Sequence, residues 1–257
     1  FINLKNYSDS VGIEFLSTPD GEESLKFLLE HNLLKAIKVG STEIVNISFL
    51  KKISESSLPV YLSTGTANLK EVINAVNVFS GNLENLTLMQ CTSSYPCADN
   101  ELNLNVLNQY KNLFSIKIGF SDHSLGSTAS FAAVALGASI IEKHIYIESD
   151  IWTPDKNASM NKKDFKYMCN EIRRLEKMLG NGNKHRTTSE KENLKSIRRG
   201  LCAAKPLNKG TILKKEDIFY KRPYEGLSLN ETKFIINRVI NKNKEIDEPF
   251  TLDDFSK

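Results

Sequence analysis

Apolar runs recur along the chain at Gly12 to Thr18, Ala36 to Gly40, Val60 to Gly65, Leu86 to Thr92, Ile116 to Asp122 and Ser139 to Ile145. Their length and their bounding turn residues predict buried strands. Between them, Glu22 to His31, Ile44 to Ser54, Leu69 to Phe79 and Asn103 to Asn112 carry apolar residues three and four apart. That spacing predicts amphipathic helices. Ser127 to Ala138 is a further helix, whose alanines allow close packing on a sheet. Strict alternation of strand and helix predicts a parallel sheet.

Every predicted strand closes on small or polar residues: Ser17-Thr18-Pro19, Lys38-Val39-Gly40-Ser41, Ser63-Thr64-Gly65, Cys91-Thr92-Ser93-Ser94-Tyr95-Pro96, Ser121-Asp122-His123 and Glu142-Lys143-His144. Polar ends on all strands, rather than at one crossover point, predict a TIM-type barrel with its site on the C-terminal face. Such a barrel has eight strands. The sequence opens at Phe1 inside a helical stretch, Asn3 to Ser10, and the expectation is a barrel lacking its first two βα units.

After His144, a loop from Glu148 to Met160 holds Trp152 and Asp155 and is expected at the rim. A periodic helix, Lys162 to Leu179, is stopped by Gly180-Asn181-Gly182-Asn183. The barrel domain is thus expected over 1–183, a polar linker over 184–197, and a small, mostly β module over 198–257. A module that small buries little, so it is expected to lean on its own barrel or on a neighbouring subunit.

With 34 basic against 31 acidic residues and no basic-aromatic cluster, nothing points to nucleic acid. Four cysteines without zinc-ligand spacing, no basic-then-apolar leader and no long apolar run point to a cytoplasmic protein without a membrane span.

In a strand, residues two apart share a face, so Ser121 points with His123 and Glu142 with His144, while Asp122 and Lys143 point the other way. The two histidines at neighbouring strand ends are metal ligands, an acid/base pair or ordinary hydrogen-bonded residues. Glu142 beside them favours a metal, with Mn²⁺, Fe²⁺, Co²⁺ and Zn²⁺ all compatible with mixed nitrogen and oxygen ligation. Lys38, inside an apolar strand, either meets an anionic ligand or makes a structural ion pair. Ser41, Ser63, Thr64 and Gly65 offer donors suited to a carboxylate or phosphate. Tyr95 packs on a sugar or caps the barrel, and Arg222 is by default a surface residue.

These six strand-end segments, in this order, together with Arg198-Arg199 and Lys221-Arg222-Pro223, resemble the sialic acid synthases and related nonulosonic acid synthases that use phosphoenolpyruvate. The resemblance covers essentially the whole chain, and the C-terminal module resembles the family's antifreeze-like (SAF) domain. It implies condensation of phosphoenolpyruvate with an acyclic N-acyl amino sugar, N-acetylmannosamine first and the legionaminate and pseudaminate precursors as alternatives. It implies a divalent metal held by His123 and His144, Mn²⁺ above Mg²⁺ or Co²⁺. Lys38, with Glu142 and the two histidines, would be catalytic. Thr18, Ser41, Ser63, Ser93, Tyr95, Ser121, Asp155 and Arg222 would bind substrate, Arg222 reaching the other subunit's site in a domain-swapped homodimer. The competing readings are a binding or assembly module without catalysis, and a 3-deoxy sugar acid synthase, which leaves the C-terminal module unexplained.

Overall fold

The computed structural model describes residues 1–147 and 153–255. They form two compact units, Phe1–Asn181 and Gly182–Lys257. In the first, β1 (Ile37–Val39), β2 (Val60–Ser63), β3 (Leu86–Cys91), β4 (Lys117–Asp122) and β5 (Ile140–Lys143) pair in parallel, in chain order. The result is a curled half-barrel. Sequential order is what short right-handed βα crossovers produce.

The crossovers are α3 (Ile47–Ser54), α4 (Leu69–Val78), α5 (Val106–Leu113) and α6 (Thr128–Ala135); α1 (Ile2–Ser10) and α2 (Glu22–Glu30) precede β1, and α7 (Lys162–Leu179) follows β5. Asn68 and Glu71 cap α4 reciprocally, which satisfies two of the amides that a helix start leaves open. Leu62, Leu86, Leu88 and Phe120 from the strands meet Phe49, Leu50, Ile53, Val72 and Leu107 from the helices in one core. That core fixes the strand ends from below.

One expectation is corrected here. Gly12 to Thr18 is not a strand: residues 13–20 have no regular structure, and Ile13 is 65 % exposed. Among the described residues β1 pairs only with β2, so this segment has no ladder to join. Phe15 makes an edge contact with Phe1, at 6.4 Å between ring centroids, and packs on the core. Its apolar pattern is met by side chains instead. Within 184–197, whose charged residues read as a solvated linker or a helix face, runs α8 (Thr188–Ile197). Thr187 and Glu190 close a capping box at its start. The Thr-x-x-Glu signature was present in the sequence, and the dense charge around it masked the signal. The expected rim loop from Glu148 lies partly outside the described residues, Trp152 included.

The second unit is built on the antiparallel pair β6 (Gly200–Ala203) and β7 (Ile218–Lys221), with Leu201, Leu213, Ile235, Ile240 and Phe250 at its centre. A buried charge cluster closes it. Lys244 Nζ meets Asp254 at 2.7 Å, Glu248 at 2.9 Å and the Pro249 carbonyl at 2.8 Å.

Candidate active site

The C-terminal ends of β1 to β5 surround a cleft of about 380 Å³ lined by Lys38, Ser41, Ser63, Ser93, Tyr95, Ser121, His123, Glu142 and His144. Nine of the residues singled out in the sequence therefore share one space. Thr18 is exposed and does not line the cleft; its methyl lies beside Gly40. Asp155 lines an adjoining hollow with His144, Tyr146 and Pro154. Arg222 belongs to the second unit.

Lys38 is buried near the end of β1. Its ammonium donates to Ser63 Oγ and to the Val39 carbonyl, each at 2.9 Å, and lies 3.5 Å from Glu142 Oε2. That longest contact is to a carboxylate still 41 % exposed, so the cation is incompletely matched within the protein. Nearby, Ser41 Oγ accepts from the Gly65 amide at 2.9 Å. A side chain on Gly65 would put its Cβ 2.2 Å from Ser93 Oγ and 2.7 Å from Ser41 Oγ. Only glycine lets the two serines approach here.

His123 and His144 stand with ring centroids 5.2 Å apart, and Tyr95 covers both, at 4.1 Å from His123 and edge-on at 5.5 Å from His144. His123 Nδ1 lies 2.8 Å from the Thr92 carbonyl. The proton therefore sits on Nδ1 in the neutral ring, and Nε2 keeps its lone pair for a ligand or an incoming proton. Burial pushes His123 down, but its bonds to Cys91 and the Thr92 carbonyl outweigh this and hold it above the ordinary histidine value. Burial, then the charge of His123, pushes His144 below that value. Two like groups are thus driven apart, an arrangement suited to proton handling.

Sequence reasoning missed Cys91. It ends β3, its sulfur lies 3.9 Å from His123 Nδ1 and 3.6 Å from Ser41 Oγ, and it forms part of the cleft wall. Burial raises its thiol, yet the bonds with His123 and Ser41 win and lower it. The available signal was spacing: Cys91 is two before Ser93 and so on its face of the chain. Thr66, with a positive φ of 64°, also lines the cleft and carried no sequence signal.

Among the described residues no group of three or more His, Cys, Asp or Glu side chains is placed to enclose a metal. Two imidazoles with Nε2 free at His123 fit a divalent ion whose other positions stay open to oxygen ligands. Likewise, no described helix is long and apolar enough to cross a membrane.

A parallel α/β half-barrel here gathers cationic, hydroxylic and imidazole groups at one set of strand ends, the face on which barrels of this type carry their sites. The chain belongs to the NeuB family, whose model matches residues 1–184, and an SAF domain matches 198–256. It is 38 % identical over 245 residues to the N,N'-diacetyllegionaminic acid synthase of Campylobacter jejuni, covering 94 % of this chain and 73 % of that protein. A pseudaminic acid synthase of the same species is 31 % identical over 247 residues, covering 95 % and 71 %. Among solved structures, the sialic acid synthetase of Leptospira borgpetersenii, in complex with citrate, superposes with a TM-score of 0.71 at 35 % identity, over 75 % of this chain and 67 % of that one. Its relatives are enzymes that make nonulosonic acids.

Proposed function

We propose that this chain condenses phosphoenolpyruvate with an open-chain N-acyl amino sugar to give a nonulosonic acid and inorganic phosphate. The observation that carries the reading is Lys38, a buried ammonium whose carboxylate neighbour Glu142 is 3.5 Å away and part-exposed, in a cleft lined also by Ser41, Ser63, Ser93 and Ser121. That is a receptor for a small, strongly anionic molecule.

In this reading Lys38 and the serine hydroxyls hold the carboxylate and phosphate and present C3 of the enol to the sugar aldehyde. The new C3–C1 bond leaves positive charge at C2, water adds there, and C–O cleavage expels phosphate. Glu142, facing both Lys38 and His144, orients the sugar and takes up or returns protons. Tyr95 walls the pocket against bulk water. His123 and His144 would hold a divalent cation, Mn²⁺ first, which when bound supplies Lewis-acid polarisation of the aldehyde oxygen. Asp155 and, from a second subunit, Arg222 would complete the acceptor pocket, and Thr18 would support it from the edge. Among the described residues β1 and β5 are the outermost strands of the sheet, where further βα units would join to close a barrel.

The 38 % identity to the C. jejuni relative favours an acceptor with two acetamido groups over N-acetylmannosamine. The test is phosphate release from phosphoenolpyruvate with each acceptor in turn, with Mn²⁺ and then with chelator. Chelator-sensitive release with the diacetamido sugar is expected. Silence with every acceptor, from protein that still binds phosphoenolpyruvate in a calorimeter, would replace the synthase by a binding module; loss of both would remove the reading.

A further inference from the structure

Behind the histidines lies a second set of polar groups that touches no part of the cleft. Asp122 and Lys143 are partners in the β4–β5 register and each directly precedes one of the two histidines. Their side chains meet at 3.2 Å and are 0 % and 1 % exposed. Asp122 Oδ1 also accepts from the Ser124 amide at 2.8 Å and the Ser124 hydroxyl at 2.7 Å, and Oδ2 accepts from Ser130 Oγ of α6 at 2.6 Å. Lys143 spends a further hydrogen on the Ser124 carbonyl. Every polar atom of this buried network is engaged.

The β4–β5 ladder ends at Asp122 and at Lys143, so His123 and His144 lie just beyond it, where the His123 carbonyl accepts from the Cys97 amide at 2.9 Å and the His144 carbonyl from the Met160 amide at 2.8 Å. Beyond it, His123 is flanked on both sides by clamped residues, Asp122 and Ser124, while Lys143 ties the start of His144 to the same knot. We infer that the Asp122–Lys143 pair, with Ser124 and Ser130, helps set the spacing of His123 and His144 from behind the sheet, alongside the Thr92 carbonyl that holds the His123 ring; its consequence for metal binding rests on the function proposed above. Alternation of the strands puts the clamp on one face and the imidazoles on the other, so the clamp positions without competing for ligand. Outer groups of this kind orient ligands and govern affinity without touching the ion.

The test uses the full chain, metal-free, with labelled histidine. In the double variant Asp122→Asn/Lys143→Met, which leaves no unpaired charge, the ring resonances of His123 and His144 move while those of His31 and His185 stay. Mn²⁺ binding then weakens as well, because the two imidazoles no longer keep one spacing. A folded double variant whose His123 and His144 resonances are unchanged overturns the inference. Should that variant not fold, Ser130→Ala decides, since it removes one hydroxyl: shifted His123 resonances at an unchanged melting temperature support the clamp, and unshifted ones overturn it. Wild-type protein that binds no Mn²⁺ removes the metal reading alone, because the resonances still report on position.

Discussion

Lys38 in the cleft and Lys244 in the C-terminal unit are both buried ammonium groups, and they are treated in opposite ways. Lys244 is saturated, with Asp254 at 2.7 Å fully buried beside it and Glu248 and the Pro249 carbonyl completing its shell. Lys38 has two neutral acceptors and a carboxylate held off at 3.5 Å, half in solvent. Burying a charge is tolerable only when partners replace its water. Where the chain supplies them all, the charge serves the fold; where the match is looser, as at Lys38, the proposed function gives the charge a ligand to hold.

The largest expected effect is on the saturated side. Asp254→Ala takes from Lys244 its fully buried carboxylate and leaves it the part-exposed Glu248 and the Pro249 carbonyl, and breaking a buried pair this way costs roughly 3–5 kcal/mol. Hydrogen exchange of the amides from 200 to 255 should accelerate by about two to three decades, at about 1.4 kcal/mol per decade. Lys38→Met should do the reverse. Removing an incompletely paired cation, with Glu142 free to be solvated, should leave the melting temperature unchanged or raised. Phosphate release should nonetheless fall by about 10²-fold or more, as for loss of a preorganised charge contact. A Lys38→Met protein that is strongly destabilised yet active would dissolve the contrast.

Much of this was legible in the sequence because it follows from alternation. Period two along Ser121-Asp122-His123 and Glu142-Lys143-His144 separates cleft residues from clamp residues, and the structure puts them on those faces. Helix α7 was readable to the residue, since its apolar stripe is unbroken and Gly180 takes a positive φ at its end. Residues 12–18 misled because a short apolar run between turn residues reports burial and not pairing; whether a strand forms depends on a neighbour that the sequence does not point to. Cys91 was overlooked because the count and spacing of cysteines test only for disulfides and zinc, whereas its place here comes from Ser41 and His123, which are distant in sequence. The closure of Lys244 by Asp254 and Glu248 is equally invisible to pattern, because charges in a polar tail read as surface.

Acid sharpens the comparison at moderate cost. Burial pushes the Asp254 carboxyl up, but the hydrogen bonds from Lys242 and Lys244 win and hold it below the usual carboxylate range. Asp217, bonded to Lys205 at 2.8 Å, is held low for the same reasons in the same order. A lowered folded-state value means stabilisation that is complete above the unfolded value, about 3.9 for aspartate, and lost as pH falls through the folded one. Amide protection of the C-terminal unit should therefore be flat from neutral pH down to about 5 and decline below about 4. Asp217→Asn should shallow that decline, and an unchanged acid profile would remove this carboxylate from the account.

The smallest effect expected is at Gly65, and it isolates geometry from charge. An alanine there keeps Lys38 and every hydroxyl but places a methyl 2.2 Å from Ser93 Oγ and 2.7 Å from Ser41 Oγ. Both are short side chains, so they rotate aside at little cost to the fold, and Ser41 gives up its bond from the Gly65 amide. The cation then faces a ligand that its neighbouring donors no longer orient. Affinity for phosphoenolpyruvate in a calorimeter should drop roughly tenfold, short of the 10²-fold that a full ångström of misplacement can cause. Gly40 is the control in the same cleft: a Cβ there meets Thr42 Oγ1 at 3.6 Å, an ordinary contact, so Gly40→Ala should bind as the wild type does. Equal losses in the two variants would mean that any added methyl disturbs the cleft, and that the serines about Lys38 do not form a shaped receptor.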